Sequence, residues 1–303
     1  MKSKTAIIIY HNSWRLANQL WNYISIYAFC LEEQMDCINW SRFEYYKLFP
    51  NTKSSKLINI IYSNFVFNFF NRNVVQILYQ KTIRLFIKVF FSKHIIEVNN
   101  KETKQYYLKE NIDIKKHNKK YIFFDWRLFR DPNLISKYRK EIKQHFSPKK
   151  NIIDNINNYI TDKRKKYKHI VWVHIRQGDF KRWQWWKYFI SLKDFAKTIM
   201  SYKKYYKNDV CFVVCSDWKI NLNDFELNDC FFGLWDPVSD LFLLAETDFI
   251  ISSNSTFSAF ASYYWDIPSF VLSNKYINKN INRDFFVEKK WFRENPDYTM
   301  VKF

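Results

Sequence analysis

From His169 to Leu272 short apolar runs alternate with amphipathic helical stretches, and few folds accept that alternation. Strands are predicted at His169–Val173, Asp209–Val214, Cys230–Leu234, Phe249–Ser252 and Ser269–Leu272. Between them, helices are predicted from Ser191 to about Lys204, over Ser239–Glu246 and over Ser255–Trp265. Ser191 followed by Asp194 makes a capping-box-like helix start. Strands that alternate with helices pair in parallel through crossover helices, which predicts an α/β fold.

The first half opens in the same way. Ala6–Tyr10 reads as a buried strand, followed by a polar loop, a helix from roughly Gln19 to Glu33 and a strand at Met35–Ile38. The stretch 54–94 is mostly helical in pattern. In it Lys81, Arg84 and Lys88 share one face while Ile83, Phe86, Ile87 and Phe90 fill others. Such a basic face is either solvated or laid on an anionic membrane. Tyr121–Phe124 is a further strand, and Asp131 with Pro132 makes a good helix start. The domain boundary is expected between Ser147 and His169, after "SPKK" at 147–150 and around the basic run "KRKKYK" at 163–168.

Glycine is nearly absent, with only 2 in 303 residues. The two, Gly178 and Gly233, stand far apart, which excludes the dinucleotide fingerprint, the P-loop and the nucleophile elbow, all of which need glycines a few residues apart. No Asp-x-Asp or zinc pattern occurs. The net charge of +20 suits polyanionic partners: nucleic acid, lipid headgroups or phosphorylated small molecules. Five cysteines, an odd number with no Cys-x-x-Cys pair, read as reduced buried thiols of a cytosolic chain. No signal peptide is visible. The uncharged stretch Leu57–Asn71 is broken by Asn59, Ser63, Asn64 and Asn68 and is no membrane span. A cytoplasmic protein, with room for peripheral contact at an inner membrane, is the expectation.

Ligands of open parallel sheets bind at the carboxyl ends of the strands. Three polar loops fall there: "HIRQGD" at 174–179, "CSD" at 215–217 and "SSNSTFS" at 252–258. The last turns directly into a helix, whose unpaired N–H groups and dipole favour an anion. Ser255, Thr256 and Ser258 add hydroxyls. Arg176 offers a rigid fork of donors to phosphate oxygens, and Gly178 lets backbone approach a ligand. Together these features favour a phosphate site.

The same segments resemble the α-1,2-fucosyltransferase family, glycosyltransferase family 11-like. "VHIRQGDF" resembles its His-x-Arg-Arg-Gly-Asp-Tyr motif. "RLANQLWNYISIYAFCLE" resembles its N-terminal Gly-Asn-Gln loop and helix, and "YIFFDWRLFRDP" loosely resembles its mid-chain region. "DLFLLAETDFIISSNSTFSAFASYYW" resembles its Ser-Asn-Ser-Thr-Phe-Ser segment closely. The order and spacing match from about Ile7 to Leu272.

The resemblance implies a GT-B-like fold, two Rossmann-like domains with parallel sheets facing a cleft. It implies an acceptor-side domain at 1–150, a donor domain at 151–285, and a segment at 286–303 that packs back on the first domain. It implies inverting, metal-independent transfer of fucose from GDP-fucose to a glycan hydroxyl, with no cofactor besides the donor. Arg176 matches the arginine that binds the donor's β-phosphate, flanked by His174 and Asp179. Gly178, Ser216, Asp217, Asn254, Ser255, Thr256 and Phe257 match donor-side positions. Asn18, Gln19 and Trp126 are expected on the acceptor side, and Asp179, Asp125 and His174 are candidate bases.

Departures are equally legible. Gln177 replaces the second motif arginine, Trp14–Ala17 replaces the double glycine, Asp125-Trp126 replaces a Gln-Ser pair, and Ala259-Phe260 replaces paired tryptophans. They leave open a transferase for another nucleotide sugar and a glycan-binding relative without activity. Charge interleaved with aromatics leaves open a nucleic-acid-binding protein.

Overall fold

The computed structural model describes residues 4–8, 16–40, 45–52, 72–100, 106–112, 119–126, 129–178 and 189–272. The chain divides into two units, Met1–Ser147 and Pro148–Phe303. The expected segment 286–303 lies outside the described residues.

Unit one is built on a four-stranded parallel sheet. Its elements begin β1 (Thr5–Ile8), α1 (Leu16–Glu32), β2 (Asp36–Asn39), α2 (Arg72–Phe91) and β3 (Ile95–Asn100). Then come β4 (Tyr106–Tyr107), α3 (Leu108–Asn111), β5 (Tyr121–Trp126), β6 (Phe129–Arg130), α4 (Pro132–Lys137) and α5 (Arg139–His145). The sheet order is β2-β1-β5-β3. Every pairing in it is parallel.

Helix α1 starts at Leu16, earlier than expected, because Leu16 and Ala17 are themselves core residues. It is buried nearly all round, as a central crossover helix should be. Its C-terminal end is pinned by Glu32, which accepts from Lys109 Nζ, Lys137 Nζ and Tyr138 OH. The Lys109 hydrogen bond first, then those of Lys137 and Tyr138, hold that carboxyl down at about 2.

Asp131 caps α4 as its sequence promised: its carboxylate accepts from Leu134 N–H at 3.1 Å, with Pro132 in the first turn. Strand β3 falls at the end of a pattern that reads as helical. Its register with β5, Ile95 opposite Tyr121 through Asn100 opposite Trp126, makes it an edge strand of the first sheet.

Unit two opens with α6 (Lys150–Arg164), followed by β7 (His169–Ile175), α7 (Leu192–Tyr206), β8 (Val210–Ser216) and β9 (Cys230–Phe232). Next are α8 (Pro237–Leu243), β10 (Phe249–Ser252), α9 (Thr256–Trp265) and β11 (Ser269–Val271). Helix α6 was not expected. Ile152, Ile156 and Ile160, four residues apart, form its buried stripe within an otherwise polar stretch.

The sheet order is β11-β10-β7-β8-β9. All of its pairings are parallel. Val171, Val173 and Ile175 pack with Phe195, Ile199 and Tyr202 of α7 on one face. Alternation turns Ile170, Trp172 and His174 to the other face, where the His174 ring lies 5.1 Å from that of Phe257 in α9.

Gly233 follows β9 where there is no room for a side chain. A Cβ there would stand 2.3 Å from Cys215 Sγ and 2.5 Å from Asp240 Oδ1. Neither neighbour can retreat. Cys215 is a core residue, and Asp240 Oδ1 accepts from Leu234 N–H at 2.7 Å. Burial lifts the Asp240 carboxyl to about 6. Gly233→Ala therefore overpacks the site and lowers stability by about 3 kcal/mol in urea unfolding. A loss below about 0.5 kcal/mol would contradict this account, since that is the scatter of neutral surface changes.

Candidate functional site

The second sheet has a built-in crevice. From β7 the chain moves outward through β8 to β9, then returns to the other side of β7 with β10 and β11. The direction therefore reverses between β7 and β10. In open parallel sheets the ligand crevice forms at that point, outside the carboxyl ends of the strands.

Ser253, the residue after β10, stitches the two strand ends together. Its N–H donates to the His174 carbonyl at 2.9 Å. Its Oγ accepts from Arg176 N–H at 3.0 Å. Ser253 is fully buried, so this pair of bonds fixes the Arg176 backbone beside the loop that starts α9. Sequence reasoning quoted this serine within its motif but gave it no role. Its neighbour Ser252, at the end of β10, is also fully buried, and its Oγ has no hydrogen-bond partner among the described residues.

Helix α9 begins at the crevice. Ser255 is its N-cap, in extended backbone, with Oγ accepting from Phe257 N–H at 3.2 Å. Ser258 Oγ bonds back to the Ser255 carbonyl at 3.1 Å. Asn254 is partly exposed while Ser255 and Thr256 are buried. The N–H groups of the first helical turn have no carbonyl acceptor within the helix. The dipole adds partial positive charge at the same end.

On the other side, Asp217 follows β8 and shapes the Arg176 loop. Its Oδ1 accepts from Gln177 N–H at 2.8 Å and from Gly178 N–H at 3.0 Å. Two consecutive amides on one carboxylate oxygen hold the backbone in a fixed curve. Ser216, the last residue of β8, accepts on Oγ from Trp218 N–H at 3.1 Å. Asp217 is expected on the donor side; its described contacts are with the Gln177 and Gly178 amides.

The structure adds two facts about the motif. No described glycine has positive φ, so Gly178 is not held there by a left-handed turn. What limits it is Asp217: a Cβ on residue 178 would lie 3.1 Å from Asp217 Oδ2. Gln177, read as a missing positive charge, is 4 % exposed. Its Nε2 donates to the Ile190 carbonyl at 3.2 Å. The side chain at 177 thus points into the protein and ties Gly178's loop to Ile190, the residue before the N-cap of α7. Asp179 lies outside the described residues.

Gln19, expected on the acceptor side, is 1 % exposed within α1. Asn18 is partly exposed, and its Oδ1 is buried without a hydrogen-bond partner among the described residues. Asp125 was a candidate base. It is 1 % exposed and its Oδ2 lies 2.7 Å from Arg84 Nη2. Trp126 ends β5.

Among the described residues no group of three or more His, Cys, Asp or Glu side chains is placed to hold a metal ion. All five cysteines are buried free thiols.

No family model matches the sequence, and no curated protein matches it. Solved structures do match its fold. POFUT1 in complex with GDP superimposes with a TM-score of 0.56 at 12% identity, over 89% of this chain and 98% of that one. The α-1,6-fucosyltransferase NodZ soaked with GDP-fucose gives 0.50 at 14% identity, over 90% and 96%. A variant of Arabidopsis thaliana FUT1 in complex with GDP gives 0.50 at 11% identity, over 90% and 72%. At such identities the likeness establishes the fold: the α/β, parallel-sheet fold of GT-B fucosyltransferase structures.

Proposed function

We propose that this chain is a glycosyltransferase that transfers fucose from GDP-fucose to a glycan hydroxyl, as the α-1,2-fucosyltransferase-like motifs suggest. One observation carries the reading: Arg176 is held by Ser253 at the switch point of the sheet, beside the N-terminus of α9. The likeness in fold to proteins solved with GDP or GDP-fucose supports it. So does the net charge of +20, which draws a polyanionic donor.

In this reading the donor's β-phosphate sits between the Arg176 guanidinium and the first amides of α9, with Thr256 and Asn254 at its edge. Gly178, Ser216 and Phe257 line the same donor site. The acceptor oxygen attacks the anomeric carbon from the face opposite the nucleotide, with inversion. The bond from that carbon to the β-phosphate oxygen breaks, GDP leaves with the electron pair, and the acceptor proton passes to a base or to water. Charge grows on the β-phosphate as the bond breaks. Fixed donors aimed at such charge are the strongest catalytic device available to a site of this kind.

Asp179 is the base candidate that this reading retains, and His174 orients the crevice through its contact with Phe257. Asp217 positions the loop. Asn18, with its buried carbonyl oxygen, is retained on the acceptor side. No cofactor or metal is invoked beyond the donor. The domain roles follow: 1–150 takes the acceptor and 151–285 the donor. Work in the cytoplasm belongs to the same proposal and agrees with five buried thiols. Peripheral membrane contact rests on a separate surface, taken up below.

The test is turnover donor by donor. The purified chain is incubated with GDP-fucose, GDP-mannose, UDP-sugars and dTDP-sugars, and nucleotide release is followed with and without glycan acceptors. Release from GDP-fucose alone supports the reading. Release from another donor moves the specificity, and release from none refutes the enzyme.

A further inference from the structure

Helix α2 presents an apolar face to solvent. Leu78, Leu85 and Val89 are 58%, 64% and 62% exposed, and Phe86 and Phe90 are 44% and 66% exposed. At about 100° per residue, Leu78, Leu85 and Val89 fall within about 40° of one another and the two phenylalanines lie beside them. The Phe86 and Phe90 rings are 4.8 Å apart and form one patch.

The helix is held to its own unit by the opposite side. Ile87 is 4% exposed and packs with Ile7 and Phe123. Arg84 reaches Asp125. Lys81 and Lys88 do remain exposed, along one border of the apolar stripe.

An apolar stripe about 18 Å long, counted from Leu78 to Val89 and Phe90 at about 1.5 Å per residue, bordered by lysines, is the pattern of a helix lying in a membrane interface. Among the described residues no helix is long and apolar enough to cross a membrane. We infer that α2 docks the protein on an anionic lipid bilayer, with the five apolar side chains at the acyl boundary and Lys81 and Lys88 among the headgroup phosphates. Charge selects this occupant. A chain of net charge +20 repels its own copies and is drawn to an anionic surface. Nucleic acid would match the charge, and its bases stack on aromatic rings, but it offers little to bury the aliphatic Leu78, Leu85 and Val89. The inference is independent of the donor, because it uses only unit one.

Vesicle flotation of the full chain tests it, with phosphatidylcholine vesicles and vesicles containing phosphatidylglycerol. The wild type should float with the anionic vesicles and only weakly with the neutral ones. Lys81→Gln with Lys88→Gln should weaken anionic binding about 25-fold, about fivefold per lysine. Leu85→Ser with Phe90→Ser should weaken it at least about tenfold. All four positions are exposed, so unchanged thermal unfolding confirms that folded proteins are being compared. Wild-type binding that neither double variant alters overturns the inference. So does a wild type that ignores vesicles but sediments as a dimer that Leu85→Ser with Phe90→Ser dissolves, for the face would then join two copies of the chain.

Discussion

Arg176→Ala is expected to slow fucosyl transfer by about 10²–10³-fold, the loss typical of removing one fixed donor to transition-state charge. The fold should survive. Arg176 stands just beyond β7 and is only partly buried. One of its ties to the protein is a backbone N–H, donated to Ser253 Oγ, that alanine also supplies. Arg176→Lys separates charge from geometry. A lysine keeps the positive charge but loses the planar fork, so activity should fall between wild type and alanine. Single-turnover transfer with thermal unfolding of each variant checks both statements. Near-normal turnover in folded Arg176→Ala protein would remove the arginine from the reaction.

Asp217 carries the second large effect, although it is assigned no contact with the donor. Its Oδ1 is the shared acceptor for the Gln177 and Gly178 amides. Asp217→Ala leaves both donors without that acceptor, and an unmade buried hydrogen bond costs about 1–3 kcal/mol. The loop escapes the cost by moving, which displaces Arg176. Misplacement by about 1 Å can lower a rate about 10²-fold, so transfer should fall by that order. Asp217→Asn keeps a carbonyl oxygen in the same place and should retain most activity. The pair of variants is diagnostic. If Asp217→Asn is as damaging as Asp217→Ala, the carboxylate's charge acts on the nucleotide itself and the positioning role is wrong.

These two residues also mark how far the sequence could be read. Ser191 before Asp194 and Asp131 before Pro132 were legible because capping is local: an oxygen reaches an amide two or three residues away. Those caps, with the strand and helix alternation, outline most of unit two. Arg176 was legible because it follows an apolar strand next to a glycine, in a chain almost without glycine.

What stayed hidden depends on distance along the chain or on the end of a regular pattern. Asp125 reads as an available carboxylate until α2 brings Arg84 to it. Gln177 follows the end of β7, where inward and outward alternation no longer predicts a side chain's direction, so its inward turn to Ile190 left no trace in the spacing. Helix α6 was overlooked because its apolar stripe is one isoleucine per turn among charged and polar residues. Strand β3 follows a long helix directly and is rich in asparagine, which masks its pairing with β5.

The central claim is that a nucleoside diphosphate binds where β7 and β10 part. A crystal structure of the chain with GDP tests it most directly. The account predicts the β-phosphate within hydrogen-bond distance of the Arg176 guanidinium and of the backbone amides at 256–258. GDP bound elsewhere on the chain, or a β-phosphate held by neither group, would contradict it.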